Sequence, residues 1–237
     1  MNVSACFLGS IVALAYGVCW ADEQPRVIDQ TRLAKQPNLI FIMADDLGYG
    51  DVGCFGQKVI ATPRLDQMAS EGMKFTQFYA GNTVCAPSRS VLLTGQHMGH
   101  THVRGNANSD TMLEQSLRAQ DATIAEVLKT VGYTNGLVGK WGLGGPDSTG
   151  APLRQGVDRF FGYNCQAHAH SYYPSYLWDD DQHVVLNNNP PVPGHASLAK
   201  GADKSNPASY DIFKGQDYAP DRINAAAMEF VRDNKDR

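Results

Sequence analysis

Two short segments of this chain carry side chains that could do chemistry. The first is Asp45-Asp46, directly after the continuous apolar run of residues 38–44. Adjacent carboxylates repel each other unless a cation or hydrogen bonds compensate. Gly48 and Gly50 give the next loop freedom to wrap, and Asp51 adds another carboxylate. Oxygen-only donors favour Ca2+ or Mg2+ over zinc. A solvated acidic turn is the alternative reading. The second segment is Cys85-Ala86-Pro87-Ser88-Arg89. Pro87 suits the first position of a helix, which puts Cys85 at or just before the N-terminus and Arg89 about one turn along. Free helix N–H groups beside a guanidinium form an anion site, and the same field lowers a thiol's pKa. A buried, inert cysteine beside a structural arginine would use the same residues.

A third stretch holds His168 and His170, followed by Tyr172, Tyr173, Tyr176 and Trp178. On a strand, residues two apart face the same way, so both imidazoles could meet a substrate while the rings stack on a sugar. Ordinary loop packing with aromatic anchors is the alternative. Cys54 and Cys165 could form a disulfide or stay as free thiols, since sequence does not fix their separation.

The elements that must position these groups follow an α/β pattern. Residues 38–44, with Pro37 before them, suit a strand buried on both faces, hence a parallel sheet. Ligands of open α/β sheets bind outside the carboxyl ends of strands, where Asp45 and Asp46 fall. A helix is expected from the cap Thr62 and Pro63 to the stop at Gly72, with Leu65, Met68 and Ala69 on one face. Residues 73–79 read as β-like, and residues 87–94 as a short helix ended by Gly95. Thr123 and Glu126 form a capping box for a helix ending near Gly132, and residues 134–138 are a second strand candidate. Residues 142–158 and 179–217 are rich in Gly, Pro, Asn and Asp and read as long loops lining a site. Helix returns at Asp221, with Ile223, Ala226, Ala227, Phe230 and Val231 on one face. An α/β pattern that halts on a crossover helix lacks the strand that should follow. Residues 37–237 are therefore expected to be the N-terminal portion of a larger, truncated domain.

Composition sets the frame. The 237 residues, 43% hydrophobic and 19% charged, describe a globular chain. Its net charge of -4 argues against a non-specific nucleic-acid binder, and no Lys/Arg run suits an anionic membrane surface. Residues 1–21 contain no Lys, Arg, Asp or Glu, and an apolar stretch precedes the small-x-small end Cys19-Trp20-Ala21. This reads as a secretory signal peptide, with an uncleaved anchor helix as the alternative, and it predicts a secreted or periplasmic product free of the membrane after cleavage. Residues 22–36 form a flexible lead-in. The mature chain keeps Cys54, Cys85 and Cys165, an odd count that leaves at least one thiol unpaired or modified in an oxidising compartment.

Cys85-x-Pro87-Ser88-Arg89, followed by Leu92-Leu93-Thr94-Gly95, resembles the signature of the type I, formylglycine-dependent sulfatases. Residues 38–51 are similar to that family's opening strand and Asp-Asp pair, and Gly139-Lys140-Trp141-Gly142-Leu143-Gly144 to its second motif. The resemblance runs from about Pro37 onward. It implies an alkaline-phosphatase-like α/β/α sandwich with a mostly parallel sheet. It also implies hydrolysis of a small-molecule or carbohydrate sulfate ester, assisted by one divalent cation, usually Ca2+. Cys85 would be oxidised to Cα-formylglycine by a formylglycine-generating or maturase enzyme. One hydroxyl of the hydrated aldehyde attacks sulfur and the alcohol leaves; the other then loses its proton, and collapse to the aldehyde expels sulfate. By the same resemblance, Cys85 is the nucleophile and a metal contact, and Asp45 and Asp46 are metal ligands. Arg89 steadies the hydrate, and Lys140 holds the sulfate as a catalytic and substrate-binding group. His168 and His170 remain candidate substrate contacts. Gly142 departs from the many relatives that carry His there, and further family ligands are expected past residue 237. A phosphonate monoester or phosphodiester hydrolase of the same superfamily and an inactive fragment are the rival readings.

Overall fold

The computed structural model describes residues 36–106 and 116–236. The expected signal peptide at 1–21 and the lead-in up to residue 35 lie outside the described residues. Met1–Phe41 is one unit and Ile42–Arg237 another; the architecture below is that of the second.

Among the described residues, four strands form one sheet in chain order: β1 (Gly136–Lys140), β2 (Arg159–Tyr163), β3 (Tyr176–Asp179) and β4 (Gln182–Val185). β1 and β2 are parallel, in register from Gly136 opposite Arg159 to Lys140 opposite Tyr163. β2–β3 and β3–β4 are antiparallel, so the sheet is mixed where a mostly parallel one was expected. The reason is local. Only Asp180 and Asp181 connect β3 to β4, and so short a link can only reverse the chain. Asp180 takes φ 55 there, accepts the Phe160 N–H at 2.8 Å and pairs with Arg159 at 3.1 Å. Gly139 and Gly162 face each other across β1 and β2. Gly162 has φ 152, and a Cβ on it would lie 2.0 Å from the Gly139 carbonyl oxygen, so only glycine permits this approach.

The helices are α1 (Pro63–Glu71), α2 (Cys85–Thr94), α3 (Ile124–Thr130) and α4 (Ala219–Asn234). α1 ends at Gly72 as its sequence predicts. α2 starts two residues before Pro87, which therefore sits third; the first-turn N–H groups have no intrahelical partner, so its missing donor costs nothing. Gly95 closes α2 at φ 65. The capping box opens α3: Thr123 Oγ1 accepts the Glu126 N–H at 3.2 Å, and the Glu126 carboxylate accepts the Thr123 N–H at 2.8 Å.

Three expectations are corrected. Residues 38–44 form no strand, and Leu39, Ile40, Phe41 and Ile42 are exposed. An apolar run becomes a strand only through a ladder with neighbours, and the described sheet does not include it. Residues 73–79 also lack strand structure, with Met73, Phe75 and Phe78 exposed. The loop expected at 179–217 contains β4 and a 3-10 segment, Pro207–Phe213.

The main core packs Ala86, Val103, Leu117, Trp141, Leu143, Val157 and Phe160. Each large apolar side chain fully buried there contributes about 1.5–3 kcal/mol. Ala86 belongs to the first turn of α2, and Trp141 and Leu143 follow β1, so this core clamps those two ends together. A second cluster joins Tyr163, Leu177, Leu186 and Ala219. No described helix is long and apolar enough to cross a membrane.

Thr123 Oγ1 also donates to the Gln155 carbonyl at 2.7 Å, and Thr123 is buried. Thr123→Ala should therefore cost about 1–2 kcal/mol, read as a lower urea midpoint. An unchanged midpoint would show that the box contributes nothing.

Candidate active site

Cys85 is the first residue of α2, half-buried, with a free thiol. The turn that carries it is held from two sides. The Ala86 N–H donates to Asn106 Oδ1 at 2.9 Å, and the buried Ser90 hydroxyl meets that of Thr101 at 2.5 Å. Arg89 lies one turn along and reaches the end of β1. Its Nη1 donates to the Lys140 carbonyl at 2.7 Å, and its Nη2 lies 3.9 Å from Asp45 Oδ2. Its Nε is buried with no hydrogen-bond partner. Lys140 ends β1 with its side chain only 8% exposed, and Nζ donates to the same Asp45 oxygen at 2.8 Å. The strand end that presents Lys140 is itself fixed: the Trp141 N–H donates to the Tyr163 carbonyl at 2.9 Å, and its indole N–H to the Gly150 carbonyl at 2.8 Å.

The charges are coupled. Partial burial opposes ionisation of Asp45, but the Lys140 hydrogen bond and charge, with Arg89 and His170, outweigh it and hold the carboxyl below its ordinary range. Burial is the largest influence on Arg89 and lowers its proton affinity, against the pull of Asp45 and Cys85. Burial likewise lowers that of His170; His195 and Lys140 act in the same direction and Asp45 against it. His170 therefore feels both Asp45 and Lys140.

His168 and His170 do not form the strand face expected of them. They occupy a 3-10 turn, His168–His170, where residues two apart point to different sides. His168 packs edge-on to Tyr163 at 5.4 Å and against Tyr176 at 4.4 Å. His170 instead meets His195 at 4.3 Å. Gly142 holds φ 77, and a Cβ on it would lie 1.5 Å from Gln166 Nε2. The Gln166 amide fills that space and donates to the Gly142 carbonyl at 3.1 Å, so this packing leaves no room for a side chain at 142.

Asp45 and Asp46 supply hard oxygen donors that suit a divalent cation such as Ca2+. Asp46 takes the left-handed conformation, φ 55, which turns the chain directly after Asp45. Among the described residues, no group of three or more His, Cys, Asp and Glu is arranged to hold a metal, Cys85 included. The Asp pair therefore fits as part of a donor set, not as a complete one. Cys54 and Cys165 are not joined to each other, so the disulfide considered between them does not form.

The sulfatase family model matches residues 37–219, which includes every one of these groups. The chain belongs to the sulfatase family. Human arylsulfatase A is 44% identical over 134 residues, covering 55% of this chain and 26% of that relative. Mouse steryl-sulfatase is 42% identical over 137 residues, covering 54% and 22%. The chain thus spans about a quarter of the curated relatives it matches. Among solved structures, a Bacteroides thetaiotaomicron sulfatase from work on metabolism of multiple glycosaminoglycans is 34% identical, with TM-score 0.56 over 67% of this chain and 34% of that one. Another, solved with its substrate D-glucosamine-2-N,6-O-disulfate, is 31% identical, with TM-score 0.53 over 65% and 28%. These sulfatase neighbours bear out the alkaline-phosphatase-like α/β class.

Two site contacts had no signal in the sequence. Asn106 holds α2 from 20 residues away, and His195 comes from a loop with no pattern of its own.

Because the Asp45 pKa is depressed in the folded state, the Lys140–Asp45 pairing contributes above the ordinary aspartate pKa and is lost as pH falls through the lowered value. In Lys140→Met, the Asp45 carboxyl 13C signal should titrate at higher pH than in the wild type. An unmoved titration would show that Lys140 does not set it.

Proposed function

We propose that this sulfatase hydrolyses a sulfate monoester with residue 85 as its nucleophile. The observation that carries the reading is the convergence of two buried cations, Arg89 and Lys140, beside the helix N-terminus that begins at Cys85. A sulfate monoester is an anion whose oxygens repel nucleophiles, and cations fixed around it remove that barrier. Cα-formylglycine at position 85, made by a maturation enzyme, would supply a hydrated aldehyde hydroxyl as the attacking group. A divalent cation on Asp45 and Asp46 would neutralise sulfate oxygens.

The chain's own groups do the rest. Arg89, tied to the Lys140 carbonyl, is oriented to steady an oxygen at position 85. Lys140 Nζ exchanges its bond to Asp45 for one to an incoming sulfate oxygen. His170, whose proton affinity is lowered chiefly by burial, is the candidate group for proton exchange with the substrate. Of the two histidines, the substrate role falls to His170, because His168 is packed among tyrosines. The neighbouring sulfatase solved with D-glucosamine-2-N,6-O-disulfate supports a sulfate ester. The sulfatase relatives do not favour the phosphonate or phosphodiester alternative. The charge-free segment at residues 1–21 supports export to a secreted or periplasmic site.

The test is parallel turnover of 4-nitrophenyl sulfate and 4-nitrophenyl phosphate by protein co-expressed with a formylglycine-generating enzyme. The sulfate should be preferred, and Cys85→Ala should lower its turnover about a thousandfold or more while leaving the melting temperature unchanged. Preference for phosphate would favour the rival, and retained turnover in the variant would remove residue 85 as nucleophile.

A further inference from the structure

Helix α2 begins at Cys85 with no local cap. Val84, the residue before it, has extended backbone and no side-chain oxygen to offer the first turn. Pro87 has no N–H, and the Ser88 N–H donates to the Val84 carbonyl at 3.0 Å. Cys85 and Ala86 are therefore the first-turn residues whose N–H groups need an acceptor from outside the helix. Asn106 Oδ1 accepts the Ala86 N–H at 2.9 Å. We propose that Asn106 is a remote cap of α2 and a positioning residue for the nucleophile at position 85. The proposal rests on the sulfate-ester reading for what residue 85 does.

The segment that carries Asn106 is a strap laid along the first turns of α2. Its start is closed on itself. The His100 and Thr101 N–H groups both donate to the His97 carbonyl, at 2.7 and 3.0 Å, and Arg104 Nη2 donates to the Gly99 carbonyl at 2.5 Å. Thr101 then meets Ser90, Val103 is fully buried in the cluster that holds Ala86, and Asn106 reaches the Ala86 N–H. Strap and helix thus meet at three places, from Ser90 back to the residue beside Cys85. Buried contacts of Thr101 and Val103 hold Asn106 at the helix start, although Asn106 itself is exposed.

The residue type matters as much as its place. Asn and Asp cap helices about equally well. A carboxylate at 106 would also satisfy the Ala86 N–H, but it would set a negative charge beside the group that must receive an anionic ester. The amide offers the same acceptor oxygen without that charge, so Arg89 and Lys140 keep their full pull on the ester.

The test separates the acceptor from the charge. In the unmodified 237-residue chain, Asn106→Ala should speed hydrogen exchange of the Ala86 amide about fivefold and should also speed alkylation of Cys85 by iodoacetamide. Asn106→Asp should speed neither. In protein matured by a formylglycine-generating enzyme, Asn106→Ala should lower kcat for 4-nitrophenyl sulfate about tenfold with KM unchanged. Asn106→Asp should keep kcat and raise KM about fivefold. An Ala86 amide that exchanges equally fast in the wild type and Asn106→Ala, or equal losses of kcat in the two variants, overturns the proposal. Failure of the sulfate-ester reading would appear separately, as absent turnover in the wild type with the exchange and alkylation effects intact.

Discussion

Asp45 Oδ2 accepts a hydrogen bond from the Lys140 ammonium at 2.8 Å and lies 3.9 Å from the Arg89 guanidinium, and the rest of the site depends on that meeting of charges. Two cations drawn to one carboxylate repel each other, and both side chains here are largely withdrawn from water. One carboxylate between them offsets the repulsion. Because Asp45 is half-exposed, solvent screens part of the attraction, and the charges alone would not fix the geometry. The apolar core supplies that rigidity, by packing Ala86 of α2 in the same cluster as Trp141 and Leu143. The arrangement suits an anion-processing site.

Around this centre the backbone sets direction. The 3-10 turn at His168–His170 sends one imidazole into a tyrosine cluster and the other against His195. Gly142 and Gln166 show the complementary effect. A left-handed glycine accepts an amide from a neighbouring segment, and the space where a side chain could stand is filled by that amide.

What the sequence disclosed follows the range of the interactions involved. α1, the Thr123–Glu126 capping box and the Gly95 stop were legible because caps, prolines and glycines act within a few residues. Cys85 and Arg89 were legible because one helical turn relates them. Lys140 was not legible from spacing, only from resemblance, because its link to Asp45 joins segments far apart in the chain. Strands β2, β3 and β4 went unread, since short strands in a loop-rich region declare themselves through their partners. The misreading of residues 38–44 has the same origin. An apolar run states that a strand is affordable, whereas a ladder requires neighbours that composition does not reveal. The expected strand at His168 and His170 failed because period two was inferred from two residues.

The central claim is that residue 85, at this charge-paired helix start, is prepared for sulfate transfer. The most direct measurement is the mass of the proteolytic peptide covering residues 75–89 from protein isolated from its native host. The account predicts the aldehyde mass of Cα-formylglycine at position 85. An unmodified thiol there would contradict it.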